Sequence, residues 1–249
     1  QVGSGSREGL ILLEMCNGGH LLDKLNATRS QNTYLDQRHI CTIFGQILTG
    51  IRALHEAQPV ITNRDIKLEN VLFGGPDNST VKLCDFGSCI FGAVPVRNQT
   101  EKADAEEVIN KETTPAYRAP EMVDLYMRPE LTFKTDIWAL GCILYCLCYC
   151  THPFQEEGSL ATLNGISGFP SSPQISQDLQ TLIMRMCDID PEARPTTAEL
   201  MEAVRAITQG QPLPPYSLSA DALQLRAERQ AQAAKRAEKD ELIRKKTAE

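Results

Sequence analysis

The sequence predicts an α+β fold that is mainly helical and contains one small β-hairpin and one further strand. Apolar residues recur at three- and four-residue spacing through several long segments, which is the period of an amphipathic helix. Residues 71–73 and 81–83 are apolar runs of strand length, and the turn-forming residues 74–79 between them favour a hairpin. With 249 residues, 42% of them hydrophobic, the chain can bury one large core or two small ones.

The other elements are predicted in chain order. Residues 9–15 form an apolar run that predicts the additional strand, and residues 34–57 carry one apolar stripe that predicts a core helix. Residues 135–149 are almost wholly apolar, which indicates a helix buried on all sides. Three shorter helical patterns follow, at residues 160–166, 179–187 and 197–207.

Charge and hydropathy exclude two classes of protein. The formal net charge is −7, whereas a protein that coats nucleic acid needs a basic face, so we expect no nucleic-acid partner. No run approaches the length of about eighteen apolar residues that a membrane span needs, and the first residues lack a basic stretch followed by an apolar core. We therefore expect no transmembrane segment and a cytoplasmic location.

The nine cysteines fall among apolar residues. They lack the paired Cys-x-x-Cys spacing of a zinc site, and free cysteine packs as a small hydrophobic residue. The pattern predicts reduced thiols in the core.

Changes in composition mark the ends of the folded domain, which we expect to span residues 9–208. Residues 1–8 are polar and contain Gly and Ser, so we expect a disordered start. Residues 209–218 form a Pro-rich linker. Residues 219–249 are rich in Ala, Lys, Arg, Glu and Gln without Gly or Pro, and predict a charged helical tail. That tail is either a solvated helix or weak coiled coil, or a helix that binds a helical partner.

The clearest chemical signature surrounds the hairpin. A hairpin returns its two ends to one place, so it sets the amide of Asn70 beside the carboxylate of Asp85, with Asp65 and Lys67 on the loop before it. Amide and carboxylate oxygens are ligands that magnesium prefers, and magnesium shares its coordination with nucleotide phosphates. The segment therefore predicts phosphoryl-transfer chemistry.

These residues belong to an ordered set of motifs that resembles the eukaryotic protein kinases. The motifs are residues 63–70 (catalytic loop), Asp85-Phe86-Gly87 (metal-binding motif), Ala119-Pro120-Glu121, residues 136–141 and Arg194. The resemblance covers about residues 9–207 and implies a mainly helical C-terminal lobe, entered through a hinge strand. Asn63 stands where the family usually carries histidine, which puts packing against Phe86 in the active state in doubt.

The resemblance implies roles in catalysis for four residues. Asp65 would accept or orient the proton of the attacking hydroxyl, because the loose transition state needs positioning more than basicity. Lys67 would reach the transferring phosphate, as in serine/threonine kinases. Asn70 and Asp85 would hold Mg²⁺ beside ATP.

The same resemblance implies nucleotide contacts at the hinge and on the hairpin. The backbone of Glu14 and Cys16 would face the adenine of ATP, and Leu72 would form the apolar floor beneath it. His20 stands where the family often places a ribose-contacting residue, and an ordinary residue at a helix N-terminus is the alternative.

Residues 85–121 correspond to the activation segment of the family. Thr114 would bond to Asp65 and Lys67, which positions the protein substrate. The polar residues 100–112 are expected to be mobile or briefly helical.

Structural roles are implied for four residues. Arg64 would receive a phosphate on the activation segment, with Thr113 as one candidate acceptor. Glu121 and Arg194 would form a buried ion pair. Asp136 would accept hydrogen bonds from the catalytic-loop backbone, since a buried carboxylate needs partners.

Within the family, the chain is similar to the Numb-associated kinases, which include the adaptor-associated and cyclin-G-associated kinases. The similarity rests on residues 114–126 and 136–142, on Cys84, and on residues 16–19 at the hinge. It implies a serine/threonine kinase of endocytosis that acts on clathrin-adaptor subunits, peripheral to membranes or vesicles. This subfamily adds a helix after its activation segment, expected here at residues 122–127.

A kinase also needs a Gly-rich loop, a strand lysine and a helix glutamate, and residues 1–8 do not match the first of these. We therefore expect most of the N-terminal lobe to be missing from this chain, which alone is expected to be inactive. Two hypotheses follow: a fragment of an active serine/threonine kinase, or a truncated pseudokinase that serves as a binding or scaffold module. A small-molecule phosphotransferase is a third, but it would not need the peptide-positioning residues 113–121.

Overall fold

The computed structural model describes residues 10–154 and 159–216. The expected disordered start and the charged helical tail lie outside the described residues. The helices are α1 (Leu21–Ser30), α2 (Gln37–His55), α3 (Gln99–Glu112), α4 (Pro120–Val123), α5 (Lys134–Tyr149), α6 (Gln177–Met186) and α7 (Thr197–Thr208). The strands are β1 (Ile61–Thr62), β2 (Val71–Gly74), β3 (Thr80–Leu83), β4 (Ile90–Phe91), β5 (Val94–Pro95) and β6 (Glu130–Leu131). They form three antiparallel pairs, β1 with β4, β2 with β3 and β5 with β6.

The mainly helical character predicted from the sequence is confirmed, and α5 lies at the centre of the core. All of its residues after Lys134 are buried, as the unbroken apolar run predicts. Trp138 stacks on Phe154 with ring centroids 5.4 Å apart, and both rings are buried. Helix α6 packs against α5, and α7 packs against α2. In the part of the chain that the structure describes, no helix has the combination of length and hydropathy needed to cross a membrane.

Helix α2 confirms the predicted core helix, with slightly tighter bounds. It begins after Asp36, whose Oδ1 accepts a hydrogen bond from the His39 N–H at 2.8 Å and so caps the first turn. Its apolar stripe is buried, from Ile40 to Ile51. The amphipathic period therefore places this helix correctly against the core.

The predicted hairpin is present as β2 and β3, with Val71 opposite Leu83 and Gly74 opposite Thr80. The linker before α1 pairs with its first strand, since the Gly18 N–H donates to the Phe73 carbonyl at 2.9 Å. A Cβ at Gly18 would lie 2.7 Å from the Cβ of Phe73, so the close approach requires glycine there.

The strand predicted at residues 9–15 is not observed, and residues 10–15 have no regular secondary structure. The side chains of this run are exposed, including Leu10 at 97% and Leu12 at 99%. A strand must pair its backbone N–H and C=O groups with a neighbour. No strand within residues 10–154 or 159–216 pairs with this run, so its apolar composition alone does not order it.

The prediction of a helix at residues 122–127 is also wrong. Helix α4 ends at Val123, and the Asp124 carboxylate accepts a hydrogen bond from the Tyr126 N–H at 2.9 Å, which favours a turn over a helix. Pro129 further disfavours helical backbone at the residue before it.

The long helix of this region instead precedes Ala119-Pro120-Glu121. It is α3, whose 14 residues are capped by Asn98 and anchored by the buried Ala105 and Ile109. The polar residues 100–112 are thus helical throughout, rather than mobile.

The C-terminal part of the domain follows the predicted pattern with one exception. Helices α6 and α7 confirm two of the three short helices, and a capping box of Thr196 and Glu199 begins α7. The third pattern, at residues 160–166, forms a 3-10 helix at Ser159–Asn164. It ends there because Gly165, with φ +72°, leaves the helical region.

All nine cysteines lie in the described residues and are free. Six of them are buried, so the predicted core thiols are confirmed for these. The other three are only half-buried: Cys16, Cys84 and Cys89.

The predicted ion pair of Glu121 and Arg194 is confirmed. The guanidinium donates to both carboxylate oxygens at 2.7 Å, and both side chains are almost completely buried. Arg194 also donates to the carbonyls of Asp188 and Lys134 at 2.8 Å. The pair therefore ties the end of the activation segment to the segment that precedes α7.

We expect Glu121→Ala to lower the free energy of unfolding by about 3–5 kcal/mol, because it leaves a buried guanidinium without its counter-charge. Urea denaturation followed by circular dichroism measures this. The matched control is Glu56→Ala, which removes the exposed pair of Arg52 and Glu56 and should cost about 0.5 kcal/mol or less. Equal losses in the two variants would contradict the structural role of the buried pair.

Candidate active site

The carboxylate of Asp136 fixes the backbone of the catalytic loop. It is wholly buried, and its oxygens accept hydrogen bonds from the N–H groups of Asn63 at 2.7 Å and Arg64 at 2.8 Å. His55 Nε2 donates to the same carboxylate at 2.9 Å. Arg64 has the left-handed backbone conformation, with φ +69°, which these bonds hold in place. The backbone contacts confirm the expectation for Asp136, whereas the contact with His55 was not predicted.

Asp65, Lys67 and Thr114 form one connected group. The Asp65 carboxylate accepts hydrogen bonds from Lys67 Nζ at 2.6 Å and from Thr114 Oγ1 at 2.6 Å. The Thr114 N–H donates to it as well, at 3.1 Å, and Lys67 Nζ lies 3.1 Å from Thr114 Oγ1. The structure therefore brings together the three residues that the resemblance connected. A carboxylate that holds a hydroxyl beside an ammonium group can orient an alcohol toward a phosphate.

Asn70 follows Asp65 on the same loop and is oriented by it. Its Nδ2 donates to the Asp65 carbonyl at 2.9 Å and to the Asp65 carboxylate at 3.3 Å. Because the amide nitrogen is used in this way, the amide oxygen is the group that can bind a cation.

Asp85 follows β3, at the same open end of the hairpin as Asn70. The Cys84 N–H donates to the Asn70 carbonyl at 3.0 Å, so the two strand ends are joined one residue before Asp85. Asp85 is exposed, has φ +60°, and accepts a hydrogen bond from the Gly87 N–H at 3.2 Å. An amide oxygen and a carboxylate at one hairpin end fit magnesium, which takes oxygen ligands and usually completes its coordination with phosphate and water.

The residues expected to contact the nucleotide lie on the linker and the hairpin. His20 is the N-cap of α1, where its Nδ1 accepts a hydrogen bond from the Asp23 N–H at 3.3 Å. This geometry is that of the alternative, an ordinary helix N-terminal residue. Leu72 pairs with His20 through a backbone bridge, so the two lie at one edge of the hairpin.

Glu14 and Cys16 lie on the irregular segment before α1. The Glu14 carboxylate forms an exposed ion pair with Lys82 Nζ on β3, at 2.9 Å. Cys16 is half-buried beside Gly74, where a Cβ would lie 3.2 Å from its sulfur. Both residues therefore flank the hairpin that carries Leu72.

Arg64, expected to receive a phosphate, is paired with a carboxylate instead. Its guanidinium donates to Glu112 Oε2 at 3.0 Å and to the Ser88 carbonyl at 2.7 Å, and its side chain is only 9% exposed. Sequence reasoning missed Glu112 as this partner, because 48 residues separate the two and no local pattern connects them.

The expectation that Thr113 is a phosphate acceptor is not supported by its surroundings. Thr113 is buried, and its hydroxyl donates to the Ile109 carbonyl at 2.7 Å while it accepts from Arg118 Nε at 2.9 Å. Arg118 also donates to the Asn110 amide oxygen at 3.0 Å, so it holds the end of α3. A kinase could not reach this hydroxyl without unfolding that end.

The side chain of Asn63 contacts neighbouring residues of the site. Its Oδ1 accepts a hydrogen bond from the Asp65 N–H at 3.1 Å, and its Nδ2 lies 3.6 Å from the Cys89 sulfur. Phe86, the middle residue of the metal-binding motif, is 51% exposed, so its ring is only partly packed against the rest of the protein.

Tyr117 and His152 connect the activation segment to the end of α5. Their rings meet edge to face with centroids 4.8 Å apart. His152 Nδ1 accepts a hydrogen bond from the Phe154 N–H at 3.2 Å, and its Nε2 is buried without a hydrogen-bond partner. Burial lowers the pKa of His152 to about 4 and raises the pKa of the Tyr117 phenol.

Comparison with known proteins gives one family. A model described as the protein kinase domain matches residues 4–204. A probable serine/threonine-protein kinase of Dictyostelium discoideum is 40% identical over 208 residues, which cover 84% of this chain and 18% of the relative. Actin-regulating kinase 1 of Saccharomyces cerevisiae is 42% identical over 211 residues, 85% of this chain and 32% of the relative. Actin-regulating kinase PRK1 of the same yeast is 41% identical over 207 residues, 83% of this chain and 25% of the relative. The chain thus spans about a third or less of the length of these curated relatives.

We expect the buried imidazole of His152 to lower the free energy of unfolding in acid. Its pKa is about 4 in the folded protein and ordinarily 6.5, so between these values the unfolded chain binds a proton that the folded chain does not. The free energy of unfolding therefore has its full value above pH 6.5. Protonation of this histidine in the unfolded chain lowers that free energy by as much as about 3 kcal/mol as the pH drops to 4.

Urea denaturation at several pH values measures the effect of this histidine. His152→Asn keeps an acceptor for the Phe154 N–H and does not titrate, so its stability should fall less between pH 6.5 and pH 4. The same decline in both proteins would show that another group causes it.

Proposed function

The chain belongs to the protein kinase family, and from this premise we propose that it carries the catalytic groups of a serine/threonine protein kinase. The proposed reaction is transfer of the γ-phosphate of ATP to a hydroxyl side chain of a protein. The observation that carries the proposal is the contact of Asp65 with both Lys67 and Thr114, at 2.6 Å in each case. These contacts join the catalytic loop to the segment that positions a peptide in this family.

In the proposed mechanism, the Asp65 carboxylate binds the substrate hydroxyl. It orients the hydroxyl and accepts its proton as the oxygen forms a bond to the γ-phosphorus and the bond to ADP breaks. Lys67 places a positive charge beside the phosphate, and its contact with Asp65 holds that charge in position. Thr114 keeps the peptide-binding segment at a fixed distance from Asp65.

Asn70 and Asp85 are the residues proposed to hold Mg²⁺. Bound magnesium supplies positive charge that neutralises the triphosphate. Asn70 is oriented for this task by its two hydrogen bonds to Asp65, and Asp85 by the hairpin end that it follows. The metal and hydroxyl sites would therefore share the catalytic loop through Asp65 and Asn70, and Asp85 would join them from the end of β3.

For the nucleotide, we propose that the backbone of Glu14 and Cys16 faces the adenine and that Leu72 lies beneath it. The pairing of the linker with β2 supports this, because it holds the linker against the strand that carries Leu72. Both nitrogens of the His20 ring already contact Asp23, Nδ1 its N–H and Nε2 its carboxylate at 3.2 Å, so a ribose contact there would require the ring to turn away from Asp23.

The substrate class is proposed from the resemblance and the relatives together. Similarity to the Numb-associated kinases favours clathrin-adaptor subunits and other vesicle-traffic proteins. Two of the relatives bear the name actin-regulating kinase, which favours substrates that regulate actin. We therefore propose a cytoplasmic enzyme peripheral to membranes or vesicles.

The alternative function is a binding or scaffold module without transfer activity. The observation that favours it is the exposed apolar run at residues 10–15, together with the exposed ring of Phe86. Such surface is suited to association with another protein. The connected Asp65, Lys67 and Thr114 favour the enzyme, because a scaffold has no chemical need for them.

The test measures phosphate transfer to a threonine peptide by the natural polypeptide that contains this chain. Asp65→Asn should lower kcat by about 10²–10⁴-fold, because the hydroxyl loses its proton acceptor. Asp85→Asn should also lower kcat, and should raise the Mg²⁺ concentration needed for half-maximal rate. Asp77→Asn, in the exposed hairpin turn, is the matched control and should change neither. Undiminished transfer in either of the first two variants would exclude the assigned roles, and no transfer by the unaltered protein would favour the scaffold.

A further inference from the structure

A cavity of about 500 Å³ lies beside α3 and includes Arg64 of the catalytic loop in its wall. Helix α3, the two short strands β4 and β5, and the beginning of α5 contribute to its walls. About half of its lining residues are apolar, among them Ile90, Val94, Ala105, Ile109, Met122 and Leu131, and these contribute most of the lining surface. Binding sites for small molecules commonly have this size and this kind of lining.

One polar group in the wall has no partner. Thr62 lines the cavity, is only 2% exposed, and its Oγ1 is buried without a hydrogen bond. A buried hydroxyl normally has a partner, and leaving it without one is costly. The oxygen itself has almost no surface exposed to the cavity, so a ligand with a hydrogen-bonding group would supply that partner once the Thr62 side chain rotates about χ1.

The charged groups of the wall are largely neutralised by pairing. Arg64 pairs with Glu112 at 3.0 Å, and Glu101 pairs with Arg97 at 3.5 Å. Asp104, which is exposed, adds a negative charge at the rim. An anionic ligand would meet this charge and would have to compete with Glu112 for Arg64, so the wall favours a neutral ligand.

We propose that this cavity binds a neutral, mostly apolar small molecule, with one hydrogen-bonding group that pairs with Thr62 Oγ1. The apolar residues of α3, β4 and β5 would cover its body. The volume, the apolar lining and the buried hydroxyl without a partner each support the same ligand class.

The position of the cavity gives such a ligand access to the activation segment. Arg64 and Glu112 belong to its wall, and Arg64 directly precedes Asp65 in the loop held by Asp136. An occupant would therefore pack against α3 and stabilise its contact with the catalytic loop. The proposal goes beyond phosphate transfer, and its test measures binding alone, so it stands or fails independently of the proposed enzyme activity.

The test uses the 249-residue chain and the fluorescent probe prodan, a neutral naphthalene ketone with one good hydrogen-bond acceptor. We expect saturable binding with emission shifted to the blue, as for an apolar site. Thr62→Val keeps the shape of the side chain and removes its hydroxyl, so it should weaken prodan binding about tenfold. The matched control is Thr42→Val on the exposed face of α2, which should leave binding unchanged.

A second measurement locates the probe in the unaltered chain. Cys89 lines the cavity, and burial raises the pKa of its thiol, so N-ethylmaleimide should modify it slowly. Saturating prodan should lower the labelling of Cys89 several-fold, read from peptide masses, and should leave Cys16 on the nucleotide side unchanged. Absence of saturable binding, equal affinity of the Thr62→Val chain, or protection of Cys16 rather than Cys89 would each overturn the proposal.

Discussion

The structure of the site depends on one buried negative charge, the carboxylate of Asp136. A carboxylate without solvent is stable only where donors surround it, and here three donors converge, two of them backbone N–H groups of the catalytic loop. The same hydrogen bonds hold the loop with Arg64 in a left-handed backbone conformation, and Asp65 is the residue that follows Arg64. The long apolar helix α5 therefore does more than fill the core, because its first turn carries the charge that shapes the loop.

From that loop, a chain of polar contacts fixes the activation segment. Asp65 and Lys67 hold Thr114, Arg64 holds Glu112, and Arg118 holds the end of α3. The carboxylate of Glu112 occupies the guanidinium for which the family resemblance predicted a phosphate. In this structure, the segment is thus ordered by an acidic residue of its own, and Arg64 and Glu112 also line the cavity beside α3.

The sequence predicted the elements that local pattern or motif determines. The amphipathic stripe of α2, the apolar run of α5, the hairpin, and the contacts of Asp136 and Glu121 follow from period or from family motifs. It did not predict features that depend on distant partners. The contact of His55 with Asp136 joins residues 81 positions apart, and residues 10–15 lack the partner strand that their composition alone cannot supply. The helix misplaced at residues 122–127 failed for a local reason, the turn that the Asp124 side chain favours.

The most direct test of this account is kcat for phosphate transfer by the Asp136→Asn variant of the natural polypeptide, with folding checked by circular dichroism. The carboxylate of Asp136 accepts one loop N–H on each of its two oxygens, whereas an asparagine side chain has one acceptor oxygen. In the variant, the amide N–H₂ group would therefore face one of these loop N–H groups, and that hydrogen bond would be lost. We predict a fold that is retained and a kcat lower by about 10²-fold, because a small displacement of Asp65 is enough to disturb the reaction. A folded variant with unchanged kcat would contradict the claim that this carboxylate organises the site.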